Sequence, residues 1–307
     1  MKGMRTKKQQ SPSFLNYIMG RIDFYKGIGN NHRAERYSSA LYKLRKFTGG
    51  KDITFEELTR DRMEMWEAWM KKEGNCMNTI SYYNRNLRAL YNKAVDEEII
   101  EDKKPFKKCY TGNEKTVKRA IPIAKVKQLA HIDLSDKGKP MQFARDMFML
   151  SFYTRGMSWI DLVTLKKTDI QKGVIVYRRH KTGQKLYIKI EKPMKELFEK
   201  YWDDNSDYLL NVIKSESRQD ERRQSDNALC RINKALHELG KYVGVDNLTM
   251  YVARHSWASA CKAENIPISV ISEGMGHDSE ETTRIYLASL DTSVVDKANR
   301  KIISRIL

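Results

Sequence analysis

Residues 249–290 read TMYVARHSWASACKAENIPISVISEGMGHDSEETTRIYLASL, and this stretch decides how the rest of the chain is interpreted. Arg254 lies in a segment with the helical spacing of apolar residues. The positions three and four residues away, which share its helix face, are Met250, Tyr251, Trp257 and Ala258. Because an unpaired charge on a buried face is very costly, this pattern predicts an anion beside Arg254.

Two further residues of the stretch are unusual for a packed core. His277 follows Gly-Met-Gly at 274–276, a predicted helix end, and precedes the run 278–281, a predicted helix start. Tyr286 has mostly polar helical neighbours, namely Thr282, Thr283, Ser289 and Leu290. A buried cation, a histidine at a helix junction and a tyrosine in polar company together indicate a site for phosphate chemistry.

The composition favours a basic protein of two domains with an anionic partner. The chain has 307 residues, too many for one ordinary domain, and 40% of them are hydrophobic. Its net charge is +18, well above the roughly 2–8 that keeps a small domain in solution. Nucleic acid is therefore favoured over charge for solubility alone. No transmembrane helix or signal peptide is recognisable, so we expect a cytoplasmic protein, nucleoid-associated when it binds DNA.

The cysteines and histidines do not indicate a metal site. Cys76, Cys109, Cys230 and Cys261 are far apart, with no C-x-x-C pair, so each is predicted to be a small buried or half-buried thiol. The six histidines also lack the spacing of metal ligands. We therefore expect neither a protein-held metal nor a cofactor.

Residues 1–12 are predicted to be a flexible basic arm, and residues 13–102 a domain of four amphipathic helices. A third helix is predicted from Thr54, where Glu57 completes a capping box, and it should bury Met65; Thr79 is predicted to cap the fourth. Residues 1–119 carry 26 Lys and Arg against 15 Asp and Glu. A basic helix face is usually only solvated, but the domain as a whole favours binding to a phosphate backbone.

Residues 103–120 lack periodicity and are rich in lysine, so they are predicted to be a basic linker to a second domain, 121–307. That domain should contain an apolar helix ending near Tyr153 and a new helix from Ser158, which forms a capping box with Asp161. Residues 214–226 are predicted to be a surface loop. A last amphipathic helix, near residues 294–303, could cover its own domain or dock on another subunit.

Residues 173–190, GVIVYRRHKTGQKLYIKI, predict a β-hairpin with its turn at 181–184. Four cations lie around this turn: Arg178, Arg179, Lys181 and Lys185. Two interpretations remain open, an exposed hairpin with charged tips or a basic finger that lies on a nucleic-acid backbone.

The motifs TRGMSWIDLVTLKK, YRRHKTGQ, YVARHSWAS and GHDSEETTRIYL occur in an order that resembles the tyrosine recombinase (phage integrase) family, in particular Bacteroides-type integrases and DNA invertases. The resemblance implies a mainly α fold with a small β-hairpin or sheet. Residues 13–102 would be a helical, SAM-like core-binding domain and residues 121–307 a mixed α+β catalytic domain.

The resemblance also implies roles for particular residues. Arg254 and Arg155 would clamp the scissile phosphate, since arginine forks match phosphate oxygens. Lys181 would protonate the leaving 5′ oxygen, and His277 would stabilise the phosphate or assist proton transfer. Tyr286 would become covalently joined to the 3′ phosphate, with no need for a metal or ATP. Other cations expected to bind DNA are Arg178, Arg179, Lys185, Arg85, Arg88 and Lys43.

Two positions depart from the family pattern. Tyr251 occupies the place of the histidine in the family's H-x-x-R box, so we count it as a candidate catalytic residue that could bond a phosphate oxygen. Ser158 occupies the usual slot of the first arginine, three residues before Asp161, whereas Arg155 lies three residues earlier. Either the long side chain of Arg155 fills the same space, or Arg178 or Arg179 supplies that charge.

The function expected from the resemblance is site-specific DNA recombination, by integration or inversion. Its expected partners are double-stranded DNA with inverted-repeat core sites, three further copies of the chain in a homo-tetramer joined through the C-terminal helix, and accessory DNA-bending factors, with no membrane. Two alternatives remain open: a catalytically impaired DNA-binding or architectural protein, and a nicking-closing enzyme like the type IB topoisomerases.

Overall fold

The computed structural model describes residues 11–114, 119–214 and 218–287, with the side chains at 218, 219, 285 and 286 excepted. The chain divides into two compact units, Met1–Thr116 and Val117–Leu307, each with its own hydrophobic core. Within the described residues the structure is mainly helical with one small sheet, so the predicted fold class is confirmed.

The N-terminal unit is a bundle of four helices: α1 (Phe14–Gly27), α2 (Asn31–Phe47), α3 (Arg60–Lys72) and α4 (Met77–Asp96). Their apolar stripes meet in one core because each helix repeats buried residues every three or four positions. Trp66, which is fully buried, donates its indole N–H to Asn84 Oδ1 at 2.9 Å, so the largest core side chain also has its polar atom satisfied.

The predicted start of the third helix at Thr54 is wrong. The bonds of a capping box do form, from Thr54 N–H to Glu57 at 2.7 Å and from Glu57 N–H to Thr54 Oγ1 at 3.4 Å, but they close a single turn. Thr54 pairs instead with Ser13 in a β-bridge, and α3 begins after Thr59. The buried residues of α3 are Met63, Trp66 and Met70, spaced three and four positions apart. Met65 lies off this face, so it is 61% exposed and not buried as predicted.

Helix α4, in contrast, begins earlier than predicted, because Cys76 and not Thr79 occupies its N-cap. The first part of the segment 103–120 packs against this unit. Phe106 is buried in the helical core, and Tyr110 N–H donates to Glu67 Oε1 at 2.6 Å. Of the expected N-terminal arm, residues 1–10 lie outside the described residues, while Ser11 accepts a hydrogen bond from Glu56 N–H at 3.3 Å.

The C-terminal unit is built around a buried helix. Its described helices are α5 (Ile123–His131), α6 (Lys139–Tyr153), α7 (Trp159–Val163), α8 (Lys192–Lys200), α9 (Arg218–Val243), α10 (Met250–Ala263), α11 (Ile268–Met275) and α12 (Glu280–Leu287). Helix α6 packs against both α9 and α10. Its apolar residues Met147, Phe148 and Leu150 are at most 1% exposed, as expected for a helix that is apolar on several faces.

The hairpin predicted at 173–190 is present. Strands β2 (Val174–Arg178) and β3 (Lys185–Lys189) pair antiparallel, and a short strand β1 (Ile170–Gln171), which the sequence did not indicate, adds a third member in the order β1-β2-β3. Alternate residues face the core, so Ile175 and Ile188, which pair across the ladder, are both buried.

The surface loop predicted at 214–226 is wrong from residue 218 onward, since α9 begins at Arg218. The segment is rich in charged residues, but it forms the first turns of an amphipathic helix. One face of its first turns packs inward: Ser225 is 1% exposed and its carbonyl accepts the indole N–H of Trp159 at 3.0 Å. The amphipathic helix expected near 294–303 lies outside the described residues.

All four cysteines are free thiols. Cys109 and Cys261 are half-buried, as predicted, but the prediction is wrong for Cys76 and Cys230, which are exposed. Cys76 occupies the N-cap of α4, and Cys230 lies on α9. Among the described residues, none of the helices combines the length and the apolar character that spanning a bilayer requires.

Candidate active site

Arg254 is the buried centre of the site. It lies in the second turn of α10 and is 3% exposed. Its guanidinium donates from Nη1 to the carbonyl oxygen of Gly156 at 2.7 Å and from Nη2 to that of Met275 at 2.8 Å. The arginine therefore joins the turn between α6 and α7 to the end of α11. The sequence predicted an anion here, whereas these two partners are backbone carbonyls.

The turn between α6 and α7 is shaped by its contact with Arg254. Arg155 and Gly156 both have left-handed backbone, with φ of 63° and 71°. A Cβ at Gly156 would stand 2.8 Å from the Cα of Arg254, so only glycine fits this close approach. Arg155 extends from the same turn toward α11, where a Cβ at Gly274 would stand 3.8 Å from its Cδ.

His277 lies at the junction of α11 and α12, as the sequence predicted. Gly276 ends α11 in the left-handed conformation. The ring of His277 is held at both nitrogens: Nε2 is 3.1 Å from Arg254 Nη2 and Nδ1 is 2.8 Å from Thr283 Oγ1. Because a guanidinium can only donate, Nε2 must accept, and the ring is then neutral with its proton on Nδ1.

The electrostatic surroundings agree with a neutral His277. Burial lowers the pKa of its imidazole to about 4, with further lowering by the positive charges of Arg254, Arg179 and Lys181. The contribution of Lys181 shows that the exposed lysine of the hairpin turn lies within electrostatic range of this ring. The ring is therefore a hydrogen-bond partner near neutral pH and not a cation.

The hairpin contacts the end of α11 through a buried arginine. Arg179 is 7% exposed, and its Nη1 donates to the carbonyl oxygen of Gly276. A Cβ at Gly276 would stand 2.8 Å from Leu186 Cδ1 and 3.2 Å from Arg179 Cδ, so the glycine allows the hairpin to approach. Arg179 therefore lies inside the site. The interpretation of the hairpin as exposed with charged tips does not hold for this residue.

Tyr177 marks the convergence of the cations. Its pKa is raised by burial and by Asp161, and lowered in part by Arg254, Arg179 and Arg155. All three guanidinium groups therefore lie close enough to the same buried phenol to act on it. Arg155, Arg179 and Arg254 come from three separate elements that the fold brings together.

Asp161 is a site residue whose main partner the sequence did not indicate. It is 2% exposed, and its Oδ1 accepts from the backbone N–H of His180 at 2.8 Å and lies 2.9 Å from His180 Nδ1. Ser158 occupies the N-cap of α7, as predicted, but its side chain makes no capping bond to the backbone and donates instead to Asp161 Oδ2 at 2.6 Å. Burial alone would raise the pKa of this carboxyl, but the bonds from His180 and Ser158 outweigh it and lower the pKa.

The two tyrosines of the candidate site differ in what the structure shows. Tyr251 is 57% exposed on the first turn of α10, and its ring packs edge-on to His255 with centroids 4.6 Å apart. Tyr286 lies in α12, three residues after Thr283, which is fully buried beside His277. The side chain of Tyr286 is outside the described residues, so the structure places its helix and not its phenol.

The other predicted DNA contacts are on the surface, apart from Arg179. In the C-terminal unit, Arg178 Nη1 donates to the carbonyl oxygen of Gly183 at 3.2 Å, and Lys185 Nζ lies over the ring of Tyr187. In the N-terminal unit the predicted contacts lie on α2 and α4. Lys43 is half-buried over Trp69, and Arg85 and Arg88 are exposed.

In the described ranges no group of three or more His, Cys, Asp or Glu side chains is arranged to hold a metal ion.

Comparison with known proteins identifies related families over both units. A model described as phage integrase SAM-like domain matches residues 13–111, and one described as phage integrase family matches residues 121–293. Tyrosine recombinase XerA of Pyrococcus furiosus is 29% identical over 71% of this chain and 72% of its own length.

Two solved structures show the same fold. A lambda integrase dimer bound to a COC′ core site has a TM-score of 0.67 at 17% identity, over 90% of this chain and 77% of that one. A lambda integrase tetramer bound to a Holliday junction has a TM-score of 0.66 at 16% identity, over 91% and 83%.

Proposed function

Because the chain belongs to the phage integrase family of tyrosine site-specific recombinases, we propose that it cleaves and rejoins DNA through a 3′-phosphotyrosine intermediate formed on Tyr286. The observation that carries this proposal is the hydrogen-bonded chain from Arg254 through His277 to Thr283. It connects the buried cation to the helix that bears Tyr286, one turn further on.

The cations of the site would stabilise the charge that develops at phosphorus. When the phenol oxygen attacks a phosphodiester, the phosphorane gains negative charge, and preorganised donors act without reorganising during the reaction. Arg254 meets this requirement because two carbonyls and His277 fix its guanidinium before DNA binds. Arg155 is the second clamp we propose, since its turn is tied to Arg254 through Gly156.

The chemical step then has four parts. The phenol proton of Tyr286 leaves to solvent as Oη bonds to phosphorus, and the bond from phosphorus to the 5′ oxygen breaks. Lys181 gives a proton from Nζ to that leaving oxygen, which becomes a 5′ hydroxyl. Reversal by a 5′ hydroxyl from a second duplex completes strand exchange. The phosphotyrosine conserves the energy of the broken bond, so neither ATP nor a metal is needed.

His277 and Tyr251 have supporting roles in this proposal. His277 is neutral and accepts from Arg254, so it orients the guanidinium and does not add positive charge. Tyr251 is exposed beside the site, which suits a hydroxyl that bonds a phosphate oxygen from bound DNA.

The proposed partner is double-stranded DNA with inverted-repeat core sites, held by both units. In the helical domain at 13–102, Lys43, Arg85 and Arg88 would contact the phosphate backbone. In the catalytic domain at 121–307, Arg178 and Lys185 on the hairpin would do so. The solved tetramer of lambda integrase on a Holliday junction supports a tetramer as the active assembly, and accessory DNA-bending factors fit the same architecture.

A covalent adduct tests the proposal. The substrate is a duplex carrying the repeats that flank the gene, nicked next to the crossover so that the cleaved fragment diffuses away. We expect the unaltered protein to form a denaturation-resistant protein–DNA complex and Tyr286→Phe to form none. An unaltered protein that binds the duplex but forms no adduct would point to an architectural role, and nicking and resealing without partner exchange to a topoisomerase-like one.

A further inference from the structure

We infer that His180 is a positioning residue, which fixes Lys181 by holding the hairpin turn against Asp161 of α7. The inference rests on the proposed role of Lys181 as the proton donor to the leaving oxygen. His180 is bonded twice to one carboxylate oxygen, from its backbone N–H at 2.8 Å and through its ring Nδ1 at 2.9 Å. It directly precedes Lys181 in the chain.

Asp161 is a fixed anchor for this contact. It is 2% exposed in the short helix α7, and its second oxygen is held by Ser158 at 2.6 Å. A buried carboxylate needs its hydrogen bonds satisfied, so separation from His180 would leave it under-solvated. The turn that carries Lys181 is therefore tied to the same helix start that carries the Arg155 turn.

The other side of the turn is fixed by Arg179. Its guanidinium donates to the carbonyl oxygen of Gly276, and its backbone bonds to Gln184 and Gly183 at 2.9 and 2.7 Å close the turn. The two residues before Lys181 thus hold the hairpin to α11 and to α7 respectively. Lys181 itself is exposed, so the position of its Nζ depends on these neighbours.

The two bonds to Asp161 can be separated by substitution. His180→Ala keeps the backbone N–H bond and removes only the ring, so the fold should persist while the turn becomes less constrained. His180→Asn places an amide N–H close to where Nδ1 lies and should retain the bond. Because small misplacements of a catalytic group reduce rates by up to about 100-fold, we expect His180→Ala to slow cleavage by about 10–100-fold and His180→Asn by far less.

The test measures cleavage of two nicked duplexes carrying the recombination site. One has the normal scissile phosphodiester, and the other has sulfur in place of the bridging 5′ oxygen. A thiolate leaves without the proton that an alkoxide needs, because a thiol is a much stronger acid. A defect that acts through Lys181 should therefore disappear on the sulfur substrate. Lys181→Ala is the reference for such a defect, and His237→Ala, an exposed histidine of α9, is the matched control.

We expect His180→Ala to be slow on the oxygen substrate and to return to within about twofold of the unaltered protein on the sulfur substrate. A His180→Ala protein that is equally slow on both, or as fast as the control on both, would overturn the inference. Should the alanine variant not fold, His180→Gln, whose amide lies one bond further out, takes its place against His180→Asn.

A failure of the proposed role of Lys181 gives a different result from a failure of the inference about His180. If Lys181→Ala stays slow on the sulfur substrate while the unaltered protein cleaves both, Lys181 is not the proton donor. If Lys181→Ala is restored on the sulfur substrate and His180→Ala is not, Lys181 is the proton donor but His180 does not position it.

Discussion

At the scale of single residues, the neutral state of His277 follows from its contacts. Its Nε2 faces the donors of Arg254 and its Nδ1 faces Thr283 Oγ1. Burial disfavours the charged form of the ring, and a protonated ring would also set a second cation beside Arg254. This is the physical reason that the pKa is lowered to about 4 from the ordinary 6.5.

This residue should make stability depend on pH. Between pH 6.5 and about 4 the unfolded chain binds a proton at His277 that the folded protein does not bind. The contribution of His277 to the free energy of unfolding is therefore fully present above pH 6.5 and is lost as the pH falls toward 4. Thermal unfolding followed across this window should show the unaltered protein losing more stability than His277→Gln. Parallel curves for the two proteins would contradict the lowered pKa.

The sequence predicted some of these residues and not others. The burial of Arg254 and the position of His277 at a helix junction follow from local spacing and from Gly276. The pairing of Asp161 with His180 does not, because the two residues are 19 positions apart and meet only when the hairpin folds over α7. Local patterns carry no information about such a contact.

At the scale of elements, the site depends on close approaches between helix ends and turns. The α6–α7 turn comes near α10 at Gly156, and the hairpin comes near the end of α11 at Gly276. Both glycines have left-handed backbone, with φ of 71° and 64°. Each contact therefore needs a residue without a Cβ for two reasons, conformation and space.

A comparison of Gly156→Ala with Gly173→Ala should separate the steric cost of a Cβ from the cost of the left-handed conformation. In Gly156→Ala the Cβ would meet the Cα of Arg254 at 2.8 Å, which is backbone and cannot turn aside, so we expect a loss of stability of roughly 2–4 kcal/mol and cleavage slowed at least tenfold. Gly173→Ala is the matched control, with φ of 75° and nothing within 4 Å. It should lose only about 1 kcal/mol. Equal losses in chemical denaturation of the two variants would refute the steric argument.

The sequence predicted most elements but misplaced the starts of α3, α4 and α9, and the first and last of these show why. The bonds expected between Thr54 and Glu57 form, yet pairing with Ser13 stops the helix there. The many charged residues at the start of α9 predicted a loop, although Ser225 on its inner face is buried. In both cases tertiary contacts decided what local propensity left open.

At the scale of the whole molecule, the charge of +18 is divided between two compact units, and we propose that both contact DNA. In the helical unit none of the cations among the described residues is fully buried, whereas the C-terminal unit has the buried Arg179 and Arg254 as well as exposed cations. We attribute non-specific binding to the cations on the outer surface. We attribute the reaction to the cations of the site, namely the buried Arg254, the half-buried Arg155 and the exposed Lys181.

Binding to DNA should therefore be strongly dependent on salt. Each phosphate neutralised by a lysine or arginine releases counterions, so six or more such contacts give a slope of about −5 or steeper when log K is plotted against log salt concentration. Fluorescence anisotropy with a labelled duplex measures this slope. A slope near zero would contradict extensive phosphate contact.

The most direct test of the central claim is to locate the covalent bond. The adduct on the nicked duplex is digested with nuclease and then with trypsin, and the peptides are analysed by mass spectrometry. We predict that a nucleotide remains attached to the peptide of residues 285–297, at Tyr286, through its 3′ phosphate. A nucleotide on any other residue, or a 5′ linkage, would contradict the account.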